Sequence, residues 1–136
     1  EKLRIYQSHM ALTSNWVEAG EIDLIVWGED SFGGEYNPTY RQDTRNAMAA
    51  QAVRVGANLM AGGTRPGASG TLDNYNVVFA PNGQIIGEYL KRHPVPFGEY
   101  VPFRNLLEFV PQLASVPNDM NRGTGPVVFP TTVGQK

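Results

Sequence analysis

The 136-residue chain contains no cysteine, so it forms no disulfide and offers no thiolate to a metal ion or to a substrate carbonyl. Histidine is almost absent too. His9 and His93 stand far apart, neither has a second ligand at metal spacing, and His93 is expected to be a structural histidine. Long apolar runs are missing: nothing approaches the roughly 18–20 residues needed to span a bilayer. Positive charge is sparse. The formal net charge is −2 and the densest basic cluster is Lys91-Arg92-His93, which argues against a nucleic-acid partner. Two glycine-rich stretches, at Gly62-Gly63 and at Gly123–Gly125, match neither GKS/T nor GxGxxG, and Ser31 is not in a GxSxG context. Metal, nucleotide and serine-hydrolase chemistry therefore find no support.

What is present suits one compact domain. Hydrophobic residues make up 41% of the chain, and a domain of this length buries about two-thirds of its unfolded surface. Leu3, Tyr6, Met10, Thr13 and Val17 follow helical spacing, with Ile5, His9, Leu12 and Trp16 on an adjacent stripe. This predicts a helix over 2–18 that packs on something flat, with Gly20 as a stop. Ile22–Trp27 is a near-continuous apolar run and reads as a strand buried on both faces. Asn37-Pro38 suggests an N-cap and first turn for a helix from about Thr39 to Val55, ended by Gly56. Asn58–Ala61 reads as a short buried strand followed by a loop over 62–67. Asn74–Ala80 and Gln84–Leu90 flank Pro81-Asn82-Gly83, a strong hairpin signal. Residues 101–116 mix short helical pieces with prolines, and Val127–Phe129 are expected to form a strand leading into a turn over 131–136. The order of elements implies an α/β layered domain, with helices against a mixed sheet. The chain does not open on Met and its last residues follow a strand-like run, so a piece of a longer protein is expected.

Three charged residues stand out by position. Glu29 follows a buried strand at its C-terminal end, where open α/β sheets tend to place ligands and where an acid can serve as a general base. Lys91 follows the second hairpin strand and could stabilise an oxyanion. Glu99 stands eight residues on, across a segment that Pro94 and Pro96 stiffen and Gly98 lets turn. Taken singly, each has an ordinary alternative: a solvated loop acid, an edge-strand lysine, a surface ion pair worth at most about 1 kcal/mol. The proline-stiffened loop makes mere surface display of the last pair less expected.

In order along the chain, DLIVWGED resembles the strand and catalytic glutamate of the nitrilase (carbon–nitrogen hydrolase) superfamily, and NVVFAPNGQIIGEYLKRH the strand pair that leads to its catalytic lysine. The extension KRHPVPFGEYVPFR is similar to the signature of the apolipoprotein N-acyltransferase family, and GGTRPG and the polar stretch before VVFP fit the same family. Gly28 departs from the proline, and Pro94 from the leucine, usual at those places. The resemblance implies a nitrilase-like α-β-β-α sandwich, of which residues 1–136 would be one part, lacking the first strand and the C-terminal part with the nucleophile. It implies Glu29 as general base for a cysteine outside this stretch, Lys91 as oxyanion stabiliser, and Glu99 as the acid that positions Lys91 or the incoming amine. It further implies a phospholipid acyl donor, a diacylglyceryl-lipoprotein acceptor, no cofactor, and a place at the bacterial inner membrane. There, segments outside this stretch would hold the domain on the extracytoplasmic side. The residues alone also allow a soluble nitrilase-type amidase or a non-catalytic scaffold with the same fold.

Overall fold

A computed structural model describes residues 1–107, 110–111, 113 and 116–134. Its elements are helix α1 (Lys2–Trp16), strands β1 (Leu24–Val26) and β2 (Phe32–Gly33), helix α2 (Gln42–Val55), strands β3 (Asn58–Pro66), β4 (Leu72–Phe79) and β5 (Ile85–Leu90), and a one-turn helix α3 (Arg104–Leu107). The strands form one mixed five-stranded sheet in the order β1-β3-β4-β5, with β2 also on β3. Strands β1 and β2 run parallel to β3, and the β3–β4 and β4–β5 pairs are antiparallel.

Helix α2 shows why one face of this sheet is buried. Its interior residues Thr44, Met48, Ala52 and Val55 recur at helical spacing, and the last three are almost wholly enclosed against the sheet. The alanine-rich sequence costs little conformational entropy in a helix. Gly56 ends the helix at φ 70°, a left-handed cap whose N–H bonds the Ala52 carbonyl. Below it lie Leu59 and Ala61 of β3 and Tyr75, Val77 and Phe79 of β4, all at 0% exposure. The alternation along β4 is the point that matters for function. Tyr75, Val77 and Phe79 point to the helices, so Asn74 and Asn76 must point to the other face.

Several expectations are corrected. Strand β1 is shorter than the apolar run and buries one face only: Ile25 is enclosed, while Leu24 and Val26 are exposed. Helices cover just the Ile25 side. Helix α1 ends at Trp16, and Trp16 and Leu12 are exposed, so the Tyr6–Met10–Thr13 stripe faces the core, with His9 of the adjacent stripe packed against Trp27. Asn37 does not cap the helix. Its Oδ1 accepts bonds from the Thr39 N–H, the Thr39 hydroxyl and the Tyr75 hydroxyl, which ties it into a buried turn, and α2 begins only at Gln42. Gly62 and Gly63 are strand rather than loop: β3 runs through to Pro66. They mark close approach of another chain segment, the second meaning of glycine in a strand. Val127–Phe129 form no ladder among the described residues. Pro126 and Pro130 bracket them, and each removes a backbone donor. Residues 108–109, 112, 114–115 and 135–136 of the expected C-terminal pieces lie outside the described residues. The hairpin is as expected, turning at Gly83 with φ 81°, and Ala80 donates its N–H to the Gln84 carbonyl at 2.8 Å.

Candidate active site

The site begins with an interruption. Val26 pairs with Met60 and Phe32 with Gly63, so the chain advances from Val26 to Phe32 while β3 advances only from Met60 to Gly63. The surplus chain, Gly28–Ser31, arches off the sheet and carries Glu29 at its crest, with Asp30 at φ 54° making the turn. Both feet of the arch are anchored. Trp27 is buried, and its Nε1–H donates to Thr13 Oγ1 at 2.9 Å, which fastens it to α1. Ser31 is wholly enclosed, and its hydroxyl donates to the Gly62 carbonyl at 3.0 Å and accepts from the Gly62 N–H at 3.3 Å. That side chain supplies the ladder bonds the arch removes, so no buried amide of β3 is left unsatisfied there.

The second piece is the end of β5. Lys91 donates its N–H to the Asn74 carbonyl at 2.8 Å, which continues the β4–β5 ladder by one residue and aims the side chain at the arch. The third is the turn that follows. Glu99 N–H bonds the Val95 carbonyl at 2.8 Å, Phe97 N–H the Tyr100 carbonyl at 2.7 Å, and Glu99 Oε2 accepts from the Val95 N–H at 2.7 Å. Phe97 sits at φ 61° in this turn, next to Gly98. Returning chain braces it from behind, since Met120 donates its N–H to the Glu99 carbonyl at 2.7 Å and Asn121 its N–H to the Leu72 carbonyl. Asp119 helps hold that return through Arg104 and the Val101 N–H.

These three pieces meet on one nitrogen. Lys91 Nζ lies 2.9 Å from Glu29 Oε1 and 2.9 Å from Glu99 Oε1. Asn74 completes the cluster: its Nδ2 donates to Glu29 Oε1 and, at 3.0 Å, to Glu99 Oε1. Thus the two carboxylates share one ammonium and one amide. Asn74, 5% exposed, was not legible as a site residue, although an asparagine inside a strand otherwise rich in valine and aromatics is a signal that its face is not core. His93 does not join the cluster and is exposed, contrary to the structural role expected of it. Among the described residues no group of His, Cys, Asp and Glu could hold a metal ion. Lys91 pairs with both acids and offsets one of their two negative charges.

The electrostatics follow. Bonds from Lys91 and then Asn74 hold the Glu29 carboxyl below its ordinary 4.5, overcoming its slight burial. Burial pushes the Glu99 carboxyl up, but bonds from Lys91, the Val95 N–H and Asn74 together carry it below 4.5. Burial works against the Lys91 ammonium, and the bonds to Glu99 and Glu29 outweigh it and raise its pKa above 10.5. Both glutamates are therefore ionised at neutral pH, as a proton acceptor must be. The depressed carboxylates stabilise the fold above about 4.5, and that contribution is lost as pH falls through their lower folded values. The raised lysine stabilises below about 10.5 and loses its contribution as pH rises through its higher folded value. Carboxyl-carbon NMR titration is expected to show Glu29 and Glu99 with midpoints below 4.5; a midpoint above that value for either would contradict the shared-ammonium geometry.

Asn74 gives a separate check. Asn74→Ala removes one donor from two carboxylates and is expected to cost about 1–3 kcal/mol in urea unfolding. Asn74→Asp sets a third carboxylate against the pair and is expected to cost more. Equal losses would mean that Asn74 does not bridge them.

A cleft of about 330 Å³ opens beside the cluster, lined by Trp27, Gly28, Glu29, Met60, Gly62, Asn74, Asn76, Tyr89 and Lys91 among others. It lies on the sheet face away from α2. A larger groove of about 640 Å³ runs past Arg4, Ser8 and His9 on α1, and none of the clustered charges lines it. The departures noted at Gly28 and Pro94 leave the charges in place: Gly28 has no neighbour within 4 Å of an added Cβ, and Pro94 is buried behind the turn. The arrangement offers an ionised acid able to accept a proton and an ammonium able to face a developing oxyanion. The chain supplies no thiol to it.

The sequence profile of the carbon–nitrogen hydrolase family matches residues 1–135. The chain is 37% identical over 116 residues to an apolipoprotein N-acyltransferase of Sinorhizobium medicae, which covers 79% of this chain and 21% of that protein. It is 29% identical over 136 residues to an apolipoprotein N-acyltransferase of Geobacter metallireducens, covering 99% of this chain and 26% of that protein. The chain thus spans only a fifth to a quarter of the length of these curated relatives. Among solved structures, a carbon–nitrogen hydrolase from Helicobacter pylori superposes with a TM-score of 0.55 at 23% identity, covering 71% of this chain and 37% of that one. A CN-hydrolase superfamily protein from Xanthomonas campestris gives 0.53 at 21% identity, covering 72% and 38%. At these identities the structural likeness speaks to the fold.

Proposed function

The chain belongs to the carbon–nitrogen hydrolase family, and on that premise we propose that it is catalytic-domain sequence of a bacterial apolipoprotein N-acyltransferase. In this reading it serves the transfer of an acyl chain from a phospholipid to the N-terminal amine of a diacylglyceryl-cysteine lipoprotein. The observation that carries the reading is Lys91 Nζ held 2.9 Å from both Glu29 and Glu99 at the mouth of a cleft, in a chain similar along most of its length to proteins of that name.

The roles follow from charge and position. Glu29 takes the proton of a cysteine thiol supplied from outside residues 1–136. The thiolate adds to the ester carbonyl of the phospholipid, and the carbonyl π electrons move to oxygen, where Lys91 stabilises the charge. Collapse expels the lysophospholipid alkoxide, which takes the proton held on Glu29, and leaves a thioester. The acceptor amine then adds to the thioester carbonyl and gives up its N–H proton to the freed Glu29 carboxylate, and collapse returns the thiolate and forms the amide. Glu99 holds Lys91 through a second ion pair beside that of Glu29, which fixes the ammonium at the cleft. No cofactor enters this sequence. In this reading membrane attachment is assigned to segments outside residues 1–136; no helix among the described residues is long and apolar enough to cross a membrane.

The test is the full-length protein, purified in detergent and given phosphatidylethanolamine with a diacylglyceryl peptide. An acyl-thioester mass on one cysteine, followed by amide formation on the peptide, is expected. Residues 1–136 alone are expected to transfer nothing. Hydrolysis of small amides without acyl transfer to the peptide would replace this reading with a nitrilase-type amidase. Neither activity would leave a scaffold.

A further inference from the structure

Strand β4 puts a second asparagine on the face that carries the charges. Asn76 lies opposite Gly62 on β3 and opposite Tyr89 on β5. It lines the cleft shared by Glu29 and Lys91, and also an adjoining groove walled by Met60, Tyr89, Val127 and Phe129. Asn74, two residues back on the same face, spends its amide on the two glutamates. Asn76 does not: its side chain is half-buried and makes no hydrogen bond to any described residue. An amide in the middle of a strand is disfavoured by propensity and gains nothing here from pairing. The space in front of it is kept open. A Cβ on Gly62 would stand 2.9 Å from Asn76 Oδ1, 3.1 Å from the Gly28 carbonyl and 3.3 Å from Glu29 Cα. Glycine at 62 thus preserves both the Glu29 arch and access to the Asn76 amide.

We propose that Asn76 is a further substrate-contacting residue, whose Nδ2–H donates to the carbonyl oxygen of the acyl group. This deepens the acyl-transfer reading and rests on it. Two residues along a strand place Asn76 about 6.6 Å beyond Asn74, so an oxygen between Asn76 and the Lys91 ammonium meets a neutral donor from one side and a cation from the other. Asn76 makes and breaks no covalent bond. Its hydrogen bond strengthens as the oxygen gains charge on thiolate addition, which makes it a transition-state contact more than a ground-state one. The adjoining groove, apolar apart from Asn76 itself and the Tyr89 hydroxyl, continues from the same amide, as an acyl chain attached to that carbonyl would require.

The test compares Asn76→Ala, Asn76→Asp and Asn76→Thr in the full-length protein, with phosphatidylethanolamine as donor and the diacylglyceryl peptide as acceptor. Asn76→Ala and Asn76→Asp are expected to lower kcat about 10²–10³-fold, with the donor KM changed by less than about fivefold and thermal unfolding still cooperative. Asn76→Thr keeps a donor and is expected to recover at least about tenfold over Asn76→Ala. A kcat for Asn76→Asp within threefold of wild type overturns the proposal. So does a loss confined to KM, or a threonine variant no better than alanine. If the alanine variant fails to fold, the near-isosteric Asn76→Asp decides by the same criteria. A wild-type protein that hydrolyses a small amide but transfers no acyl chain overturns the acyl-transfer reading instead. The same variants measured on that amide carbonyl then judge Asn76 separately.

Discussion

Lys91→Met in the full-length protein is expected to lower the acyl-transfer rate by at least about 10²–10³-fold, the usual cost of removing one oxyanion donor. The structure adds a second consequence. With the ammonium gone, Glu29 Oε1 and Glu99 Oε1 face each other across the single Asn74 amide that both already use. Two carboxylates in one site do not both stay ionised easily, so one takes up a proton and its pKa rises. A midpoint pushed below 4.5 by Lys91 should therefore move above it in Lys91→Met. On the proposed roles, the proton acceptor is weakened together with the oxyanion donor, and the loss of rate is expected to deepen as pH falls from 7 to 5. Lys91→Arg keeps the charge but replaces a point donor with a planar fork, which does not fit between two oxygens each 2.9 Å from one nitrogen. It is expected to restore the carboxyl midpoints more than the rate. Acyl transfer in Lys91→Met above one tenth of wild type would remove Lys91 from the chemistry.

The largest effect on stability is expected at Gly63. A Cβ there would lie 2.3 Å from the Phe32 ring and 2.5 Å from the Phe32 carbonyl oxygen. The second contact is with backbone, so no rotamer change relieves it. Phe32 is 1% exposed and stacks edge-on against Tyr75 at 5.8 Å, which leaves the ring nowhere to retreat. Strand β2 must then separate from β3. Gly63→Ala is expected to cost about 3 kcal/mol, at the upper end of overpacking in a filled core. The Glu29 arch is anchored on the β2 side by Ser31, so lost stability and a displaced glutamate should appear together. Gly28→Ala is the control, because its added Cβ meets nothing within 4 Å and its φ is not positive. It should leave urea stability within about 0.5 kcal/mol. Equal behaviour of the two variants would show that Gly63 is not a close-approach position.

How the site was legible differs from residue to residue. Glu29, Lys91 and Glu99 could be picked out because each follows a local signal: the end of an apolar run, the end of a hairpin strand, a turn stiffened by proline. Asn74 and Asn76 carry a weaker signal, amides in a strand otherwise rich in valine and aromatics, and strand alternation fixes their face only once Tyr75, Val77 and Phe79 are known to be core. Ser31 could be read only as lacking a hydrolase context, whereas it repairs the ladder under the arch. Gly62 and Gly63 fit a loop as well as a strand by composition. What decides between these is the ring of Phe32, and that contact joins residues 31 apart in sequence.

By itself, then, the sequence determined the features that depend on near neighbours. These are the hairpin at Pro81-Asn82-Gly83, the helix ended by Gly56, the mixed α/β class and the absence of a thiol. Turn geometry, capping and helical periodicity act over a few residues and leave their marks in order along the chain. Only the tertiary structure decided that β1 is bare on one face, that the chain arches between Val26 and Phe32, and that Glu29 and Glu99 share the Lys91 ammonium. Those facts depend on strand register and on a contact across 62 residues. Such contacts are set by how α2 and the β4 core face pack, and no local propensity encodes which two oxygens will then meet on one nitrogen.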